Sequence, residues 1–169
     1  MADPLDRYRP SERVLTRSVL DRLLDDNPDL DVDPVLSVSQ QVVEMRETIR
    51  RDLESLLNTR RRPQAPPDAL SELSDALVSY GVDGMLSASL VTDESKLKLA
   101  RLMERRIAMF ETRLSDIKVT ILKARMEGER SLRMRIDASF RLHEGMPPVS
   151  FESRIDPSTQ SFIVEAGNG

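Results

Sequence analysis

The apolar residues Val38, Val42, Met45, Ile49, Leu53 and Leu56 recur at steps of four and three along the stretch from Ser37 to Arg62. That spacing lays one continuous stripe on a helix of period 3.6, so one face is buried and the other is not. Ser37 and Gln40 form a capping pair, in which hydroxyl and amide each satisfy a backbone N–H of the first turn. The stop is written in Asn58 and Thr59, poor helix formers, in the cations Arg60, Arg61 and Arg62 at the carbonyl end of the helix dipole, and in Pro63. Any fold for this chain must cover the stripe with other elements.

At 169 residues the chain is long enough for one domain with appendages and a core that needs no covalent staples. A net charge of −4 gives no general attraction to nucleic acid or anionic lipid. There is no cysteine, hence no disulfide framework and no thiolate chemistry. No apolar run reaches membrane-spanning length and the charged N-terminus is unlike a signal peptide, which leads us to expect a protein retained in the cytoplasm.

The remaining chain divides by pattern. Residues 1–34 form an acidic segment punctuated by Pro4, Pro10, Pro28 and Pro34, with one amphipathic helix expected over Ser11 to Asp26. Its stripe includes Leu20, Leu23 and Leu24, which either pack on the chain's own domain or dock in a partner's groove. The domain proper is expected over 35–166. After the central helix, a proline-rich connector leads to a short helix over Asp68 to Ser79, with Leu70, Leu73 and Leu77 on one side and Gly81 ending it by a left-handed turn. Thr92 or Asp93 then caps a helix to Phe110, with Leu99, Leu102, Met103, Ile107 and Phe110 inward and Glu94, Arg101, Glu104 and Arg105 outward.

Beyond Phe110 the period falls to two. Ile117, Val119 and Ile121 alternate with polar residues, as do Leu132 to Leu142, then Val149, Phe151 and Ile155, then Phe162 and Val164. Four strands joined by short turns imply an antiparallel meander. The fold class expected is α+β, three helices packed on one face of a four-stranded antiparallel meander, with the N-terminal amphipathic helix in addition.

Three stretches together resemble a known family: Arg50 to Arg62 (RRDLESLLNTRRR), the turn Ser79-Tyr80-Gly81-Val82, and the junction Phe110-Glu111-Thr112-Arg113-Leu114 ahead of the meander. They are similar to the TssE-type baseplate subunits of type VI secretion systems, whose wider family includes the lysozyme-like wedge protein of contractile phage tails. Ser18 to Pro28 is similar to the N-terminal helix of the TssE type. The resemblance covers roughly Ser11 to Val164. The family's Glu-Pro-Arg signature stands here as Glu111-Thr112-Arg113, with both charges kept and the proline absent.

The resemblance implies a structural subunit that helps assemble the baseplate wedge and starts the contractile sheath through a sheath-like interlocking domain. Implied partners are the wedge subunits TssF, TssG and TssK and the sheath subunits TssB and TssC, at a baseplate anchored on the inner membrane, with no nucleic acid and no direct membrane insertion. An edge strand could accept a sheath arm as an added strand. Glu111 and Arg113 are candidate partner-binding residues, as are Glu54 and Arg60; the competing reading for each is an intramolecular pair or a solvated face. The other function open to this fold family is a regulatory module of the anti-adaptor type.

Other chemistries find little support. Arg50-Arg51 and Arg60 to Arg62 suit phosphates, but the chain is acidic overall and its aromatic residues, 4%, offer no stacking platform among the arginines. A glycosidase would need two carboxyl groups across a cleft, and Glu54 and Glu111 could be nominated, yet with no Trp and two Tyr a sugar has little to stack on. His143 is the single histidine, so no multi-histidine metal site is possible, and no cofactor is expected.

Overall fold

The computed structural model describes residues 18–24, 28–29, 36–61, 67, 69–74, 76–82, 92–122, 132–141, 148–156, 159 and 161–167. The chain forms two compact units, Met1–Ile49 and Arg50–Gly169. His143 and Leu142 lie outside the described residues, as do residues 11–17 and 25–27 of the expected N-terminal helix.

In the first unit, α1 runs over Val19–Leu23. Ser18 caps it, its hydroxyl accepting from the Asp21 N–H at 3.1 Å. Leu20, Leu23 and Leu24 are exposed. Helix α2, Val38–Asn58, starts in this unit and ends in the next. The Ser37 N–H donates to Gln40 Oε1 at 2.9 Å and the Gln40 N–H to Ser37 Oγ at 3.4 Å, which is the reciprocal cap that the sequence implies. Met45, Ile49, Leu53 and Leu56 of the stripe are buried.

The second unit holds the rest of the α+β fold. Helix α3, Asp93–Phe110, is capped by Thr92, whose hydroxyl accepts from the Ser95 N–H. Its buried side includes Leu99, Ala100, Met103 and Ile107, and each large apolar residue there contributes about 1.5–3 kcal/mol on burial. Strands β1 (Leu114–Leu122), β2 (Leu132–Phe140), β3 (Val149–Ile155) and β4 (Phe162–Ala166) form one antiparallel sheet in sequential order. Met134, Ile136, Ala138 and Phe140 on β2, Val149 and Phe151 on β3, and Phe162 and Val164 on β4 are buried, while Arg135, Arg154 and Glu165 are exposed. The sheet therefore has one apolar and one charged face.

Strand β1 carries a bulge. Ser115 pairs with Ser139 and Lys118 with Asp137, so Asp116 and Ile117 together face the single residue Ala138. Asp116 sits at φ 52°, in the left-handed region that a bulge of this kind uses. The extra residue resolves a parity problem. Leu114 and Val119 are five positions apart and would fall on opposite faces of a regular strand, yet both are buried.

Two expectations are corrected. Asp68 to Ser79 is not one helix: the described residues form 3₁₀ turns at Ser71–Ser74 and Leu77–Ser79, with Leu70 and Leu77 exposed. With no buried stripe, nothing offsets the cost of nucleating an α-helix, and serine bonds the backbone instead, Ser79 Oγ donating to Leu73 O at 2.7 Å. Glu104, read as facing outward, instead accepts a hydrogen bond from β1.

Candidate functional site

The sheet ends in two unlike margins. At β4, the backbone groups of Phe162, Val164 and Ala166 point away from β3, and the four of Phe162 and Val164 are taken by side chains of α2. The Phe162 N–H donates to Asn58 Oδ1 at 2.8 Å, and Asn58 Nδ2 donates to Phe162 O at 2.9 Å. The Val164 N–H donates to Glu54 Oε2 at 3.1 Å, and Arg50 Nη1 donates to Val164 O at 3.0 Å. Arg50 and Glu54 also pair with each other at 2.9 Å.

Simple geometry explains the match. A helix rises about 6.0 Å between positions i and i+4. A strand advances about 6.6–6.8 Å over two residues. Residues 50, 54 and 58 thus form a column whose spacing nearly equals that of alternate strand peptides, and the helix stands where a fifth strand would stand. The outward groups of Phe162 and Val164 are satisfied without any strand.

At β1 the arrangement is sparser. The Val119 N–H donates to Glu104 Oε1 at 2.9 Å, so this peptide points away from β2. By the period of two, Ile121 points the same way. Among the described residues, the Val119 carbonyl and the outward groups of Ile121 meet no hydrogen-bond partner. Lys118 and Thr120 alternate with them and are exposed on the other face. This is an edge guarded at one point.

The third feature is the corner between α3 and β1. Glu111 closes α3, its N–H donating to Ile107 O at 2.8 Å, and is buried. Arg113 forks over its carboxylate, Nε to Oε1 at 2.6 Å and Nη2 to Oε2, and Nη2 also reaches Asp52 Oδ2 on α2 at 2.6 Å. The Arg141 N–H donates to Arg113 O at 2.9 Å, tying the corner to the end of β2. Burial works against the Arg113 charge, but the hydrogen bonds and charges of Glu111, then Asp52, outweigh it and raise the guanidinium pKa further above its ordinary value. Thr112 is exposed, and this corner is held by the ion pairs around Arg113.

Tyr80 packs edge-on against Phe110, ring centres 5.2 Å apart, beside the same acids. Burial raises its phenol pKa, the charges of Asp52 and Glu111 add to the shift, and a hydrogen bond with Ser55 partly offsets it. Gly81, at φ 100°, follows it. A Cβ there would stand 2.3 Å from Thr59 O, because the segment passes against the end of α2. There the Val82 N–H donates to Thr59 O at 2.9 Å and the Arg61 N–H to Val82 O at 3.0 Å.

Of the residues singled out from sequence, Glu111 and Arg113 come together at the corner, and Glu54 lies on the sealed edge. Arg60 forms a parallel bridge with Val82 and is otherwise exposed. Asp52, Asn58, Glu104 and Tyr80 were not singled out as site residues. Asn58 carried a signal, as a poor helix former at a helix end, but nothing in sequence pointed to a strand 104 positions away.

Residues 43–144, more than half of the chain, match the family model described as the baseplate wedge protein gp25. No curated protein matches the sequence. The matched span takes in Glu54, Asn58, Glu104, Glu111 and Arg113 and ends beyond β2.

Proposed function

The chain belongs to the gp25 family of baseplate wedge proteins, and from that premise we propose that it is a TssE-type subunit of a type VI secretion baseplate that starts the contractile sheath. The family is one of structural proteins, and the role proposed is attachment, in the cytoplasm at a baseplate anchored on the inner membrane. Among the described residues no helix is long and apolar enough to cross a membrane.

The observation that carries this reading is the inequality of the two sheet margins. A sheath arm that adds as a strand needs unpaired backbone groups, and among the described residues β1 offers them where α2 already holds Phe162 and Val164 of β4. TssB or TssC supplies the arm, and the wedge neighbours TssF, TssG and TssK meet other surfaces. Leu20, Leu23 and Leu24, 55%, 76% and 54% exposed, are assigned to a wedge neighbour, for which a short apolar stripe is a suitable anchor. Glu111 and Arg113 set the angle at which β1 leaves α3 and so position the accepting edge, and Arg60 remains available for an acidic contact.

Ile121→Pro tests the edge. Its N–H points away from β2, so proline removes an outward donor while leaving the β1–β2 ladder intact. The chain, tagged at its C-terminus, is recovered from gently lysed source cells beside Arg154→Ala, which alters the charged face only. Loss of TssB and TssC with retention of TssF, TssG and TssK is expected for Ile121→Pro. Undiminished recovery of sheath subunits would sink the edge assignment, and recovery of a response regulator or protease adaptor by the unaltered chain would move the function to regulation.

A further inference from the structure

Within the strand-addition reading, on which this step rests, we propose that Glu104 is a placeholder that selects the incoming strand, and that the segment accepted at β1 carries a lysine or arginine opposite Val119. The argument starts from the bond that must be broken. Glu104 Oε1 holds the Val119 N–H at 2.9 Å, and an added strand requires that same donor for its own carbonyl. Displacing Glu104 leaves a half-buried carboxylate without the hydrogen bond it had. A charge in that position is costly unless a new donor replaces the old one.

The geometry names the position of the new donor. In an antiparallel pair, residues directly opposite each other put their side chains on the same face of the sheet. Val119 is buried on the face that α3 covers, so the partner residue opposite it projects toward α3, where Glu104 stands. A long cation there lays its aliphatic stem against apolar surface and brings its head to the carboxylate. The partner residues two places to either side face the half-buried Ile117 and Ile121. Helix α3 continues the same stripe with Leu97, 52% exposed, so apolar residues fit those flanking places. The occupant is an extended segment of pattern apolar, any, basic, any, apolar.

Three capped peptides serve as probes, Thr-Val-Thr-Lys-Thr-Val-Thr and the same sequence with Glu or Met at its centre, each added at millimolar concentration to the full chain. Amide exchange is followed at Val119 and Ile121 on one margin and at Phe162 and Val164 on the other. The Lys peptide is expected to bind at least about tenfold more tightly than the Glu peptide, and to slow exchange at Ile121. In Glu104→Gln, which keeps an acceptor oxygen but not the charge, the preference for Lys over Glu is expected to vanish while binding persists. Equal binding of the Lys and Glu peptides at the β1 amides would overturn the placeholder role and leave edge addition standing. Protection confined to Phe162 and Val164, or binding by none of the peptides, would overturn both.

Discussion

Arg113 reaches across 61 positions of sequence to Asp52, Nη2 lying 2.6 Å from Oδ2, while the same guanidinium forks over Glu111. One side chain thereby joins α2, the end of α3 and the start of β1. Arg113→Ala strands the buried Glu111 carboxylate without its cation and is expected to cost about 2–4 kcal/mol. Arg113→Lys keeps the charge but not the planar fork and should lose about 1–2 kcal/mol. Urea unfolding of the two variants checks the order; equal stability of Lys and Arg at this site would mean that the fork itself contributes nothing.

Asn58 is the most complete of the strand substitutes on α2, since one amide serves both the N–H and the carbonyl of Phe162. Asn58→Ala unpairs both groups and is expected to destabilise by about 1–3 kcal/mol. Asn58→Asp keeps the acceptor and loses the donor, and should fall between. The sign of an exposed margin is self-association, so sedimentation of Asn58→Ala at rising concentration should reveal larger species that the parent chain does not form.

Gly81 answers two constraints at once, a positive φ and the approach of Thr59 O. Gly81→Ala should cost more than about 1 kcal/mol, since strain and backbone collision add. At this chain length that corresponds to a fall in Tm of at least about 3 °C. An unchanged melting temperature would show that the bridge between Val82 and the end of α2 shifts freely.

Tyr80 gives the fold an alkaline limit. Its pKa is raised in the folded chain, so the folded state holds the phenol proton where the unfolded state has begun to release it. The resulting stability is fully present below the unfolded value of about 10 and is lost as pH rises through the folded value. Phenolate absorbance should show Tyr80 titrating above the ordinary tyrosine value of about 10. Tyr80→Phe should flatten the alkaline loss of stability at the expense of the bond to Ser55.

Much of the scaffold was legible because it depends on local period. The stripe and cap of α2, the Thr92 cap of α3 and the alternation in four strands are each set by neighbours within a few positions. The segment from Asp68 to Ser79 misled because Leu70, Leu73 and Leu77 carry helical spacing without a surface to bury against, and spacing alone does not report that. Leu114 was not part of the alternation beginning at Ile117, and the bulge at Asp116 is the reason. The candidate site was legible only at Glu111 and Arg113, two residues apart. Glu54 was noticed but not its task, and Glu104 was placed on the wrong side, because the strand partner of each is a backbone N–H. A backbone N–H has no letter of its own in a sequence, so no pattern of residues marks where a strand edge will be left over.

The column of Arg50, Glu54 and Asn58 has a consequence best put in the language of polymer chemistry. A unit that can be joined at both ends propagates a chain, and a unit that can be joined at one end only begins or finishes it. With Phe162 and Val164 of β4 held by their own helix, this sheet comes close to a single valence. Copies of it are poorly suited to being strung edge to edge into an endless ribbon, and on the strand-addition reading proposed above a row of strands growing from β1 has a fixed origin and one direction in which to lengthen.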